Sequence, residues 1–225
     1  MSVIEAAGVS RTFRSPSGEV HALRDVGFEI RAGEFVALIG RSGSGKTTLL
    51  NCLGGLDRPT AGRIVIAGRD LAGLDDDGRT DLRRDTVAFV FQTFGLVPVL
   101  SAEENVELPL RLRRTPAPQR RARVAEMLEL VGLAGHGRQR PGELSGGQQQ
   151  RVAIARALAG APAVLIADEP TGQLDAETGA QILGLLRDLS RSTGMTMLVS
   201  THDPSVRDRA DRVLVLQDGR LLPEG

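Results

Sequence analysis

Nine residues from Gly40 to Thr48, GRSGSGKTT, put three glycines, a lysine and two threonines between the apolar run EFVALI and the apolar stretch LLNCLGGL. The spacing is G-x-x-x-x-G-K-T, with a strand before it and a helix after it, which is the phosphate-binding P-loop pattern in the context it requires. Gly40, Gly43 and Gly45 let the backbone curl so that N–H groups of the loop, including those of Arg41, Ser42 and Ser44, can turn inward. The helix that begins near Lys46 adds its positive dipole end, and the Lys46 ammonium adds a full charge for the terminal phosphates. The Thr47 hydroxyl, with Thr48 beside it, can reach the magnesium ion that bridges those phosphates. The whole loop is therefore expected to hold a nucleoside triphosphate, with Mg2+.

Two further segments could do chemistry with that ligand. In VLIADEP, Val164 to Pro170, an apolar strand ends on two adjacent carboxylates. Asp168 sits where it can hold the magnesium shell, and Glu169 where it can take a proton from an attacking water. In LSGGQQQR, Leu144 to Arg151, Ser145 is a good N-cap for a helix running to about Ala159. The start of that helix is a second candidate anion site, made from Ser145, Gly146, Gly147 and Gln148. Two glycines in a first turn each cost about 1 kcal/mol relative to Ala, which argues for close approach of a ligand there.

These segments need a scaffold. Short β-branched runs alternate with longer helical patterns, the signature of a parallel sheet with helices packed on it. Strands are expected at Glu34–Ile39, Arg63–Ala67, Val87–Phe91, Ala163–Ala167, Met195–Ser200 and Arg212–Gln217. Between Thr93 and Ala159 the strand signal disappears, and Val124, Met127, Leu128 and Val131 fall at helical spacing, so this stretch reads as a helical insertion. Turn residues Ser15, Pro16, Ser17 and Gly18 suggest an antiparallel hairpin at the N-terminus, and Leu221 to Gly225 a short tail.

Composition sets the outer limits. The 225 residues, 41% of them hydrophobic, suffice for one large domain or one domain with an inserted subdomain. Lys plus Arg equals Asp plus Glu at 28 each, so no global field draws the chain to nucleic acid. Cys52 stands alone, which excludes an internal disulfide framework and fits a reducing compartment. No signal peptide is read at the N-terminus, and no segment approaches the roughly 18 to 20 apolar residues of a membrane span, so a membrane role is expected to use another polypeptide.

The P-loop, LSGGQ and DEP in this order resemble the ATP-binding subunit of ABC transporters, over essentially the whole chain. The resemblance implies a P-loop NTPase fold of the RecA-like α/β type. Its parallel-sheet core, residues 1–92 and 160–225, carries an N-terminal antiparallel β subdomain and an α-helical subdomain inserted at 93–159. It further implies that Gln92 is the glutamine that contacts magnesium and water and senses the transporter partner. Asp175, in TGQLD, resembles the aspartate that works across the subunit interface, and His202, in STHDP, the histidine that contacts the terminal phosphate. Phe13 is the aromatic available to stack on the adenine, in a chain with no Tyr or Trp. Gln173 stands where Asn or a small residue is more usual.

One chain would hold two phosphate sites, although one ATP has one terminal phosphate. The resemblance resolves this by pairing: two copies face head to tail, and each ATP lies between the P-loop of one and the Ser145 helix of the other. It also implies transmembrane permease subunits as partners and a cytoplasmic place on the inner face of the membrane. GGLDRPTAGRI, FVFQTFGLVPVLSAEENVELPL and ADEPTGQLD look like the lipoprotein-releasing, macrolide-exporting and cell-division branch. The apolar stretch TFGLVPVL, Thr93 to Leu100, is expected to meet a cytoplasmic helix of the permease, with Leu96 or Val97 in contact. Two other classes are weighed. A soluble ABC ATPase acting on DNA or ribosomes could use the six arginines between Arg111 and Arg123, but no aromatic follows Phe94 to stack on bases, so no nucleic-acid partner is expected. A small-molecule kinase would not carry LSGGQ.

Overall fold

The computed structural model describes residues 1–16, 18–202 and 206–223. The turn residue Ser17 and the end of the tail, Glu224 and Gly225, lie outside them.

The chain opens with β1 (Ser2–Ser15) and β2 (Gly18–Arg31), the expected N-terminal hairpin, antiparallel throughout with several register shifts. It continues through β3 (Phe35–Ile39), α1 (Lys46–Leu53), β4 (Ala61–Ile66), β5 (Arg69–Asp70), α2 (Asp76–Asp85) and β6 (Val87–Val90). Three helices follow, α3 (Ala102–Leu112), α4 (Ala117–Leu130) and α5 (Gly146–Ala159), all inside the stretch from which the strand signal disappears. The chain ends with β7 (Val164–Asp168), α6 (Ala176–Thr193), β8 (Thr196–Thr201), β9 (Arg212–Gln217) and β10 (Arg220–Leu221).

Two sheets result. One has the order β10-β9-β3-β8-β7-β6, parallel except for the edge strand β10; the other is antiparallel, β2-β1-β4-β5. The Arg63–Ala67 run therefore does not join the parallel sheet with the other expected strands. It pairs with β1 in the N-terminal subdomain, where its outer side chains stay exposed.

The parallel sheet is buried on both faces, as its apolar strands require. Successive residues of β3 alternate between two cores: Phe35 and Ala37 pack with the helices α3, α4, α5 and α6, whereas Val36 and Leu38 pack with α1 and the antiparallel sheet. β7 and β8 alternate in the same way, Leu165 and Met197 to one side, Ile166 and Leu198 to the other. The charged segment DDGRTDLRRD forms α2, which the sequence pattern does not reveal because it buries only Arg79 and Leu82. Asp75 caps it, and the Arg79 guanidinium donates to the Leu71 carbonyl at 2.8 Å.

The close seat of α1 on the sheet depends on Gly54, the residue after its last turn. A Cβ built there lies 1.8 Å from Phe89 Cζ, and the Phe89 ring is stacked on Phe91 with centroids 5.3 Å apart. Gly54→Ala should therefore destabilise the fold by about 1–3 kcal/mol through overpacking. In a urea titration, Gly73→Ala, which has nothing within 4 Å of its added Cβ, should stay within about 0.5 kcal/mol of the parent. A Gly54→Ala protein as stable as the parent would show that α1 can shift freely over β6.

Candidate nucleotide site

β3 delivers the chain to Gly40 with its side chains buried, and the backbone then turns tightly under its neighbours. A Cβ at Gly40 would lie 2.3 Å from the Leu216 carbonyl oxygen, and one at Gly45 2.4 Å from that of Ala22. Gly45, at φ 106°, is the N-cap of α1, and no side chain caps it. The first amides of α1 are thus left for an external acceptor, at the positive end of the helix dipole.

Lys46 opens α1 and is 5% exposed. Its ammonium donates to the carbonyls of Gly40 at 2.8 Å and Arg41 at 3.3 Å, and lies 3.3 Å from Glu169 Oε1. A buried cation needs such partners because desolvation alone would be worth several kcal/mol. The loop therefore shapes a place for one positive charge.

The opposing carboxylates are set by the end of β7. Asp168 is its last residue, and Glu169 follows at φ 45°, a left-handed conformation unusual for a side-chain-bearing residue and characteristic of functional turns. Ser200 on the adjacent β8 holds this turn. The Glu169 N–H donates to the Ser200 carbonyl at 3.1 Å and to its hydroxyl at 3.0 Å, while that hydroxyl donates to Asp168 Oδ1 at 2.5 Å. Glu169 Oε2 lies 3.0 Å from His202 Nδ1. One carboxylate thus touches both the P-loop lysine and the histidine two residues past Ser200.

These groups line an open cleft of about 790 Å³, with Ser42, Gly43, Gly45, Lys46, Thr47 and Thr48 on one side and Gln92, Glu169 and His202 on the other. Gly40, Arg41 and Ser44 line a second cavity at the back of the loop instead. Gln92 is exposed, with its amide over Gly172, where a Cβ would lie 2.7 Å from Nε2. Asp168 sits behind Glu169, outside the lining. Phe13 is half-exposed on β1 opposite Val20, which does line the cleft, and Arg11 covers one of its faces at 4.3 Å from the ring centroid.

Ser145, Gly146, Gly147, Gln148 and Asp175 are not part of this cleft. Ser145 and Gln148 form a reciprocal capping box at the start of α5. The two glycines have a reason within the chain itself: added Cβ atoms would lie 3.2 Å from Leu174 and 2.6 Å from Thr178. Their spacing thus serves close packing of α5 on the start of α6, and does not by itself require a ligand. Asp175 caps α6, accepting from the Thr178 N–H at 2.9 Å and hydroxyl at 2.7 Å, and these bonds hold its carboxyl below the usual range.

Sequence reasoning missed Ser200 and the wall formed by Val20, His21, Ala22, Arg24, Asp218 and Gly219. Ser200 carries one signal, its place two residues before His202. The wall carries none, since β2 and the β9–β10 turn meet the loop only through the fold. Thr47 and Gln92, which line the cleft, can each offer a side-chain oxygen, and Asp168 adds a carboxylate behind them; oxygen donors of this kind suit a hard divalent cation that keeps waters and phosphate ligands. Among the described residues there is no cluster of three His, Cys, Asp or Glu that could hold a metal by itself.

Comparison with known proteins bears on the family and the overall fold. The ABC transporter family model matches residues 23–172, more than half of the chain. A macrolide export ATP-binding/permease protein of Rhodopseudomonas palustris is 50% identical over 223 residues, which cover 99% of this chain and 34% of that protein. An uncharacterized ABC transporter ATP-binding protein of Mycobacterium tuberculosis is 46% identical over 98% of this chain and 89% of its own length. The chain thus spans about a third of the export ATP-binding/permease relatives and nearly all of the shorter one. Among solved structures, a dimeric post-hydrolysis state of the ATP-binding cassette MJ0796, bound to ADP and Pi, superposes with a TM-score of 0.90 at 43% identity, covering 99% of this chain and 97% of that one. Family model, relatives and fold converge, and the chain belongs to the ABC transporter family, matching its ATP-binding portion.

Proposed function

We propose that two copies of this chain close head to tail around two Mg-ATP molecules, and that closure and hydrolysis drive a separate transmembrane permease. The observation that supports it is the separation of the two phosphate-binding helix starts: Ser145–Gln148 lie outside the cleft of their own Lys46, so they are left for a nucleotide held by another copy. The dimeric MJ0796 cassette provides a precedent at 44% identity.

In the structure Lys46 is shared between two carbonyls and Glu169. An incoming phosphate takes over as its anion, so Glu169 is released toward the cleft with His202 still beside it. Glu169 then orients the attacking water and accepts its proton, and His202 steadies the carboxylate and reaches the terminal phosphate. Magnesium, held by Thr47, Gln92 and Asp168, would supply neutralisation of the phosphate charge that Lys46 alone cannot give. The partner copy's Ser145 helix start adds positive dipole to the same oxygens, with Asp175 placing α6 beside it. Phe13 stacks on the adenine.

The permease would reach this machinery through Gln92 and the segment after it. In TFGLVPVL, Leu96 packs on the helical core, which is a reason to move the expected contact along the chain. Buried Asn105 holds the turn by accepting from the Val97 N–H at 2.8 Å and donating to the Val97, Leu100 and Ser101 carbonyls. Val99, 73% exposed, projects from it. Such an apolar tip on a buttressed turn is suited to a partner helix. Macrolide-export relatives carry a permease in the same polypeptide, which makes an export or mechanical role on the inner membrane face the favoured reading, without nucleic acid. Four of the six arginines from Arg111 to Arg123 already bond within the chain: Arg111 and Arg120 to Glu107, Arg113 to the Arg84 and Gly160 carbonyls, and Arg123 to Glu126.

Glu169→Gln keeps the shape of the side chain but cannot accept the proton, so phosphate release should fall by about two to four orders of magnitude. On a sizing column the variant should run as a dimer in Mg-ATP and as a monomer without it. Normal turnover would remove Glu169 as the base, and a silent variant that stays monomeric in ATP would count against the paired arrangement. Val99→Asp should leave ATPase activity of the isolated chain within about twofold and abolish its stimulation by the permease. Leu96→Asp should instead unfold the helical subdomain, by about 2–5 kcal/mol, in a denaturant titration.

A further inference from the structure

The turn between β9 and β10 is Asp218-Gly219, at φ 49° and 76°, closing a two-residue hairpin in which Gln217 pairs with Arg220. Positive φ at both central residues with Asp-Gly is the hairpin turn that suits strand twist. This turn is not free at the surface. The Gly219 N–H donates to the Ser44 carbonyl of the P-loop at 3.0 Å, and the Gly219 carbonyl accepts from the Arg24 N–H of β2 at 2.8 Å. The carbonyl of Ala22 is wedged between the two glycines: a Cβ at Gly219 would lie 2.8 Å from it, and one at Gly45 2.4 Å. Three separate stretches of backbone thus meet at one point under the phosphate loop, with no room for a side chain.

We infer that Gly219 is a positioning residue for ATP, a backbone strut that sets the pitch of the P-loop and so the direction of its amides. The Ser44 carbonyl, fixed from behind by Gly219, orients the peptide that presents the Gly45 N–H. Ser44 Oγ is buried without a hydrogen-bond partner, so the side chain does not share this task and the backbone bond carries it. The inference rests on the P-loop being the ATP site and adds what holds that loop to pitch.

The fold contains its own control. The turn between β4 and β5, Ala67-Gly68, has φ 48° and 77°, nearly the same geometry, and an added Cβ at Gly68 meets nothing within 4 Å. Gly219→Ala and Gly68→Ala therefore impose the same left-handed strain, and Gly219→Ala alone pushes on the P-loop. In steady-state assays, Gly219→Ala should raise KM for ATP by about 5- to 50-fold with kcat within about twofold, while Gly68→Ala leaves both within about twofold. A KM unchanged in both variants, or raised equally in both, would overturn the inference. Should Gly219→Ala fail to fold, hydrogen exchange on the unaltered chain decides. Mg-ATP should slow the Arg24 and Gly219 amides together with those of the P-loop, and unchanged exchange at those two amides would overturn it. Failure of the underlying site would look different: Lys46→Ala would keep normal turnover, whereas failure of the strut alone leaves Lys46→Ala inactive.

Discussion

A single buried ammonium organises the site. Lys46 is 5% exposed at the junction of β3 and α1, and a charge so placed is tolerated only with close partners. The partners are two carbonyls of its own loop and the carboxylate of Glu169, which the left-handed turn after β7 brings across the end of the sheet. In the proposed mechanism a multiply charged phosphate replaces that single carboxylate as the partner of the ammonium, so that ATP binding and the freeing of the base would be one event.

Holding that lysine requires a rigid frame, and the frame is the doubly buried parallel sheet. β3, β8 and β7 lie side by side, so the P-loop, the Ser200–His202 end and the paired carboxylates leave the same edge of the sheet. Ser200 reads two of these positions at once, taking the Glu169 amide and giving its hydroxyl proton to Asp168. On the far side, the β9–β10 turn and β2 press on the loop from behind. The helical subdomain reaches the same edge through Gln92, and Arg156 of α5 ties down the intervening turn by donating to the Phe94 and Gly95 carbonyls. Arg156 thereby joins α5 to the segment that follows Gln92.

Much of this is legible in the residues because local chemistry demands it. A glycine-rich loop that must leave its amides open can be read from spacing, and so can two carboxylates closing an apolar strand or a serine starting a helix. The parts that escape are those set by tertiary neighbours. Nothing in AGRIVI distinguishes a strand of the antiparallel sheet from one of the parallel core. In α2 a buried arginine replaces the apolar stripe by which a helix is recognised, and its guanidinium is pushed down by burial. Gly146 and Gly147 are identifiable as costly in a helix, yet their neighbours Leu174 and Thr178 emerge only from the packing of α5 on α6. Gly219 reads as an ordinary turn glycine until the fold sets it under Ser44.

The exchange of anions at Lys46 is the central proposal, and it would be directly visible in a pair of crystal structures of the unaltered chain, one without nucleotide and one with a non-hydrolysable ATP analogue and magnesium. The account predicts Lys46 Nζ near Glu169 Oε1 in the first, close to the present 3.3 Å. In the second, the ammonium should sit on phosphate oxygens with Glu169 beyond ion-pair distance of it and still beside His202. A Lys46–Glu169 pair that persists unchanged with the analogue bound would contradict it.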